Sequence, residues 1–212
     1  MPQDSDAGAA QAREDLCRYL SACYYEPDPA FVEEGLFESI REAAARLDPT
    51  LAEPAAALGA DFAAHDLQTL LVDYTRLFIG PVEPRARPYG SVWLEREDQL
   101  MQASTMDVLD AYRAGGFEVA EDFRELPDHV AVELEFLYVL IFRENAARRD
   151  GRPADLLEAD ALRRGFLGRH LGRWVGPFAQ ACQAGAECGF YRELAELTRR
   201  FVALEQARPA PG

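Results

Sequence analysis

The sequence lacks most of the features that announce a function. No window approaches roughly 18 consecutive apolar residues, so no membrane-spanning helix and no membrane insertion are expected. The N-terminus, MPQDSDAGAAQARED, has neither a basic start nor an apolar core, so it does not read as a secretory signal. A cytoplasmic protein is the resulting expectation. There is no Gly-x-Ser-x-Gly, no Walker glycine loop and no Gly-x-Gly-x-x-Gly. No segment alternates as a strand does, and no internal repeat or heptad seam appears. Cysteines are few: Cys17, Cys23, Cys182 and Cys188. The members of each pair are six positions apart, which turns a helix by about 600°, or about 240° net. They therefore point to different faces, which suits neither a chelating pair nor a disulfide within one helix. Buried thiols in a reducing compartment are expected.

What is present is apolar content and negative charge. Of 212 residues, 49% are hydrophobic, enough for a substantial folded core. The formal charge is 22 minus 37, or −15. That balance disfavours general binding to nucleic-acid backbones or anionic membranes, and it favours a basic partner.

Helical spacing dominates. Leu16, Tyr19, Leu20 and Cys23 predict a first helix ending near Tyr25, broken by Pro27 and Pro29. A second is expected over about Ala30–Leu47, and a third restarts at DPTLAEPAAAL. Leu67, Leu70, Leu71, Tyr74, Leu77 and Phe78 stand at offsets 0, 3, 4, 7, 10 and 11 and predict a fourth. It stops at Gly80-Pro81. From Pro81 to Ser91 the prolines predict a rigid extended loop. A fifth helix is expected from near Leu94 to Gly115-Gly116, and a sixth opening at Pro127 with Val130, Leu134, Leu137, Tyr138 and Ile141 on its buried stripe. Three more follow, over about 154–170, 174–186 and 191–205. The expectation is an all-α, single-domain bundle of about nine helices over residues 1–212. The acidic link at 115–126 is read as a hinge between its halves.

The stretch LPDHVAVELEFLYVL, Leu126 to Leu140, collects the polar residues that carry chemistry. His129 and Glu133 are four apart and share one helix face, but two ligands do not make a metal site, and His65 and His170 bring no partners. No metal and no cofactor are expected. Asp128 and His129 are adjacent, yet no nucleophile motif accompanies them, so no catalytic residues are assigned. Asp128 in the first turn of a helix favours the positive end of its dipole, which leaves His129 unexplained. Recognition is the third reading. Tyr89 and Trp93 stand on the proline-braced loop, Tyr74, Leu77 and Phe78 just before it. Glu118, Glu121, Asp122, Glu125 and Asp128 are placed to attract a basic segment. Glu133 and Glu135 fit either a wall of such a site or a solvated face.

At this point the residues resemble a known group. YTRLFIGPVEPRARPYGSVWLERE (Tyr74–Glu97) followed by LPDHVAVELEFLYVL is similar to the TorD, DmsD and NarJ chaperones of molybdoenzymes. FLGRHLGRWVGPF adds a third similar part, so the likeness runs over roughly residues 65–205. Arg87 departs from the group's loop, which often has two prolines before its aromatic. The resemblance implies a cytoplasmic, all-helical, non-catalytic protein. It implies binding to the twin-arginine leader of an apo-molybdoenzyme catalytic subunit, assistance in cofactor insertion, and delayed export. By position it assigns leader binding to Tyr74, Leu77, Phe78, Tyr89, Trp93, Asp128 and His129, and it implies a monomer or a domain-swapped dimer. A helical metalloenzyme and a structural subunit of a redox complex are the alternatives.

Overall fold

The computed structural model describes residues 2–80, 83–95, 103–117 and 125–211. Among these the chain forms eleven α-helices and no strand. They are α1 (Pro2–Cys23), α2 (Ala30–Glu33), α3 (Leu36–Leu47), α4 (Ala52–Ala63), α5 (Leu67–Tyr74), α6 (Gly90–Leu94), α7 (Ala103–Ala114), α8 (Val130–Arg149), α9 (Pro153–Arg169), α10 (Leu171–Gly185) and α11 (Gly189–Ala207).

The count exceeds the expected nine for local reasons. The segment Ala30–Leu47 is not one helix, because Gly35 adopts a left-handed φ of 69° and separates α2 from α3. The segment expected to remain extended as far as Ser91 turns helical at Gly90 instead. Residues 96–102, within the expected fifth helix, lie outside the described residues, as do 118–124, which hold most of the acidic link. The predicted fourth helix stays α-helical through Tyr74 and then widens into a π turn, Thr75–Ile79. Gly80 closes that turn at φ 66°, where a Cβ would stand 2.7 Å from the Pro84 nitrogen. The chain doubles back there, with Ala86 N donating to Leu77 O at 2.8 Å.

The core is aliphatic where α1 meets α8 and aromatic at both flanks. Leu16, Cys17 and Leu20 are buried together with Leu134, Leu137, Leu140 and Ile141. Each large aliphatic side chain contributes on the order of 1.5–3 kcal/mol by leaving water. Phe37, Phe62 and Phe190 join α3, α4 and α11 with ring centroids 4.7–6.0 Å apart. Tyr112, Phe136 and Phe166 join α7, α8 and α9 at 4.5–6.5 Å. All four cysteines are buried thiols.

One buried cluster is ionic. Arg13 of α1 donates to both oxygens of Glu205 on α11, at 2.7 and 2.8 Å, and to Glu144 on α8 at 2.6 Å. Arg163 of α9 donates to Glu144 at 2.5 Å, to Asp160 at 2.7 Å and to the Glu205 carbonyl at 2.7 Å. Four helices are thereby tied at one point, with charge matched to charge.

Candidate functional site

The site is built where two segments distant in sequence meet. Val130 N donates to Pro88 O at 2.8 Å, and Gly90 N donates to Asp128 O at 2.8 Å. Tyr89 and His129 form an isolated antiparallel bridge. The proline-rich loop is thus laced to the start of α8. This pairing delays that helix: it begins at Val130, not at Pro127 as the sequence suggested, because Val130 N is committed to Pro88.

Asp128 is a cap, but for a different helix from the expected one. Its Oδ2 accepts from Ser91 N at 2.9 Å, in the first turn of α6. It is 1% exposed, and its Oδ1, like the neighbouring Ser91 Oγ, is buried without a hydrogen-bond partner among the described residues. His129 is the residue that caps α8. Its Nδ1 accepts from Ala131 N at 3.2 Å, which places the ring proton on Nε2. Burial lowers its pKa to about 4, against the raising fields of Glu125 and Asp128, so the ring is neutral at pH 7.

Glu133 is neither a wall of an open site nor a solvated residue. It is 1% exposed and lies under the loop. Trp174 Nε1 donates to both of its oxygens at 3.2 Å. Burial raises its pKa well above the usual carboxylate range, so the carboxyl is held neutral. Gly90 fits over this pair because it has no side chain: a Cβ there would stand 2.9 Å from Trp174 Nε1 and 3.0 Å from Glu133 Oε1. The structure therefore engages His129 and Glu133 in capping and packing. Among the described residues no three His, Cys, Asp or Glu side chains converge as metal ligands.

Above this buried layer is a patch of tyrosines and carboxylates. The His129 ring stacks on Tyr25 at 6.2 Å and meets the edge of Tyr89 at 5.3 Å. Tyr89 OH donates to Glu125 at 3.0 Å. Tyr25 OH donates to the exposed Glu135 at 2.9 Å. The Tyr74 phenol is pushed up to about 12, first by partial burial, then by Glu125 and Glu26. Tyr25 and Tyr89 are raised further by burial and by the same acidic field. The ionic charges that act most on these three phenols are carboxylates. The patch therefore presents half-exposed aromatic faces within a negative potential.

Of the seven residues predicted for binding, Tyr74 and Tyr89 are half-buried members of this patch. Trp93 is also half-buried, with Nε1 donating to Arg87 O at 2.9 Å and its ring on Phe178. Leu77, Phe78, Asp128 and His129 are buried. Phe78 packs under Tyr74 at 5.3 Å, and His129 under Tyr25 and Tyr89. These four support the surface rather than form it. The predicted acidic residues Glu118, Glu121 and Asp122 lie outside the described residues. Sequence reasoning missed Tyr25, and with it Glu26. The signal was available in YYEPDP, where aromatic and acidic residues end a helix just before two prolines.

Comparison with known proteins places this geometry. Residues 35–180 match the family model described as nitrate reductase delta subunit. The chain is 30% identical over 138 residues to the chaperone protein TorD of Vibrio parahaemolyticus serotype O3:K6, spanning 65% of this chain and 63% of that one. It is 42% identical over 89 residues to the selenate reductase assembly chaperone protein of Thauera selenatis, covering 42% of this chain and 45% of that one. It is 42% identical over 78 residues to the chlorate reductase assembly chaperone protein of Ideonella dechloratans, covering 37% and 39%. The chain thus spans less than two thirds of the length of the relatives it matches. A solved redox enzyme maturation protein from Archaeoglobus fulgidus shares the fold, with a TM-score of 0.54 at 21% identity over 90% of this chain and 93% of that one. The protein belongs to the nitrate reductase delta subunit family, to which the TorD and NarJ chaperones are assigned.

Proposed function

We propose that this chain is a dedicated chaperone for a molybdenum-containing oxidoreductase. It binds the N-terminal twin-arginine leader of the catalytic subunit, assists cofactor insertion, and delays export until the enzyme is assembled. On this reading it acts in the cytoplasm and catalyses nothing itself. The names of its relatives support the client class, since they are chaperones of reductase assembly.

The observation that carries the reading is the patch of Tyr25, Tyr74 and Tyr89 with Glu26, Glu125 and Glu135 around it. A guanidinium group stacks on tyrosine faces and pairs with carboxylates in forked geometry. Adjacent arginines in a leader supply two such groups. The apolar stretch that follows them in a leader needs apolar surface. Ile79, 62% exposed on the π turn after Tyr74, supplies some of it.

The test is calorimetric titration of the full chain with a synthetic twin-arginine leader. Micromolar or tighter binding is expected. Glu125→Gln and Tyr74→Ala should each weaken it about tenfold, or about 1.4 kcal/mol. Replacing both leader arginines by glutamine should abolish it. Equal affinity for the arginine-free leader would contradict the proposal.

A further inference from the structure

Phe31 and Val32 stand in α2, a helix of four residues none of which is buried. Val32 is 57% exposed. Phe31 meets Phe37 and Phe62 at 6.4 and 6.0 Å, and with Phe37 it walls an open groove of about 360 Å³ between α3 and α4. The floor is the outer face of α4, where Ala56, Gly59 and Ala60 carry nothing longer than a methyl group. Gly59 lets the two helices close on each other, since a Cβ there would stand 2.9 Å from that of Phe37. The lining follows α4 from Ala55 to Ala63, a helical span of about 12 Å. Its polar lining side chains, Glu38 and Arg41, pair with each other at the rim. The groove is therefore apolar, with no buried polar group to orient a small polar ligand.

The rim is acidic. Glu33 and Glu34 close α2, and Glu53 lies in the first turn of α4, two helical turns before Ala60 and on the same face. All three are exposed. Among the described residues no arginine pairs with them, whereas Arg41 is taken by Glu38 and Arg46 by Glu42. Burial, then Asp61, Glu196 and Glu53, push the Glu193 carboxyl up on α11, so the negative field continues across α4. Such a rim repels nucleic acid and anionic membranes. It also disfavours a second copy of this chain, whose net charge is −15.

Short side chains along the floor admit another helix to close packing distance, about 8 Å between axes. A groove two turns long accepts side chains at i, i+3 or i+4, and i+7 of one helix face. We propose that the α3–α4 groove docks a basic amphipathic helix of a partner protein. The aliphatic face of that helix lies against Phe31, Val32 and Phe37, and its flanking cations meet Glu33, Glu34 and Glu53. The lining shares no residue with the tyrosine patch, and the inference does not rest on the leader reading.

The probe is a synthetic helix of about four turns with leucines along one face and lysines beside them. It is titrated into the full chain at physiological ionic strength and read by fluorescence anisotropy. Micromolar binding is expected. Val32→Gln removes part of the wall and Ala60→Gln fills the floor; both positions are exposed, and each change should weaken binding at least tenfold. Glu53→Gln should weaken it less, with a loss that shrinks as salt is raised. Leu157→Gln, which removes a comparably exposed apolar side chain from α9, should leave it unchanged. A peptide of the same composition with its leucines scattered around the helix should bind at least tenfold more weakly. No binding at millimolar peptide, equal binding of the scattered peptide, or equal weakening by Leu157→Gln would overturn the proposal. Self-association of the chain that Val32→Gln abolishes would overturn it in favour of a second copy. Displacement of the peptide by one equivalent of a twin-arginine leader would overturn it in favour of the leader.

Discussion

The two ends of α8 bury acidic groups in opposite ways. At Glu144 the carboxylate meets Arg13 and Arg163, and charge is matched within one dry cluster joining four helices. At Glu133 the carboxyl meets no cation, only the neutral donors Trp174 Nε1 and the Leu171 backbone, and burial raises its pKa. Beside it Asp128 uses one oxygen on Ser91 N, and its other oxygen meets no partner among the described residues. A charge-matched cluster is costly to break and fixes geometry. A part-satisfied one holds its segments by fewer bonds and has polar capacity left over. The matched end ties the bundle together; the part-satisfied end underlies the surface read here as the leader site.

Breaking the matched end should cost most. Glu144→Ala removes the carboxylate that Arg13 and Arg163 share, leaving Arg13 on Glu205 and Arg163 on Asp160, and should lower stability by about 3 kcal/mol in urea unfolding. The His129 cap comes next. Its ordinary pKa is 6.5 and its folded value about 4. A depressed folded value means that stability is fully present above about pH 6.5 and is lost as pH falls towards 4. The loss amounts to about 3 kcal/mol on the scale of 1.36 kcal/mol per pH unit. His129→Asn keeps a capping oxygen, and unfolding curves across that window should lose most of this dependence.

Asp128→Ala should cost less, about 1–3 kcal/mol, by freeing Ser91 N and loosening the start of α6. It should also weaken leader binding more than tenfold. The effect comes through the placement of Tyr89 rather than through contact, so Asp128→Asn, which keeps an acceptor, should recover much of it. Glu133→Gln should change least at low pH. The raised folded pKa of Glu133 means that its stability contribution is full below about pH 4.5 and declines as pH rises. Glutamine does not ionise, so the variant should equal the wild type near pH 4 and gain on it as pH rises. An unfolding series from pH 4 to 8 reads this directly, and a variant that loses ground with pH would contradict a neutral Glu133.

The difference between the two ends also marks what a sequence displays. The stripe Val130, Leu134, Leu137 and Ile141 is periodic, so α8 was legible, as were the helices at the C-terminal end of the chain. Gly35 looked like an ordinary residue within a helical run, because a single left-handed position leaves no periodic trace. The lacing of Pro88–Ser91 to Asp128–Val130 was also hidden, since pairing across such a separation has no local pattern. That is why Asp128 read as the cap of its own helix. Tyr89 stood out on the proline-braced loop and Tyr74 just before it. Tyr25 did not, because its partner His129 lies over a hundred residues away.

The claim that most needs testing is that the leader docks on the tyrosine patch at the N-terminal end of α8. Hydrogen exchange of backbone amides, measured on the full chain with and without a twin-arginine leader, maps this directly. The account predicts new protection at residues 25–26, 74–79, 88–91 and 125–131, and none at 145–152. Protection confined to 145–152, or to the groove between α3 and α4, would contradict it.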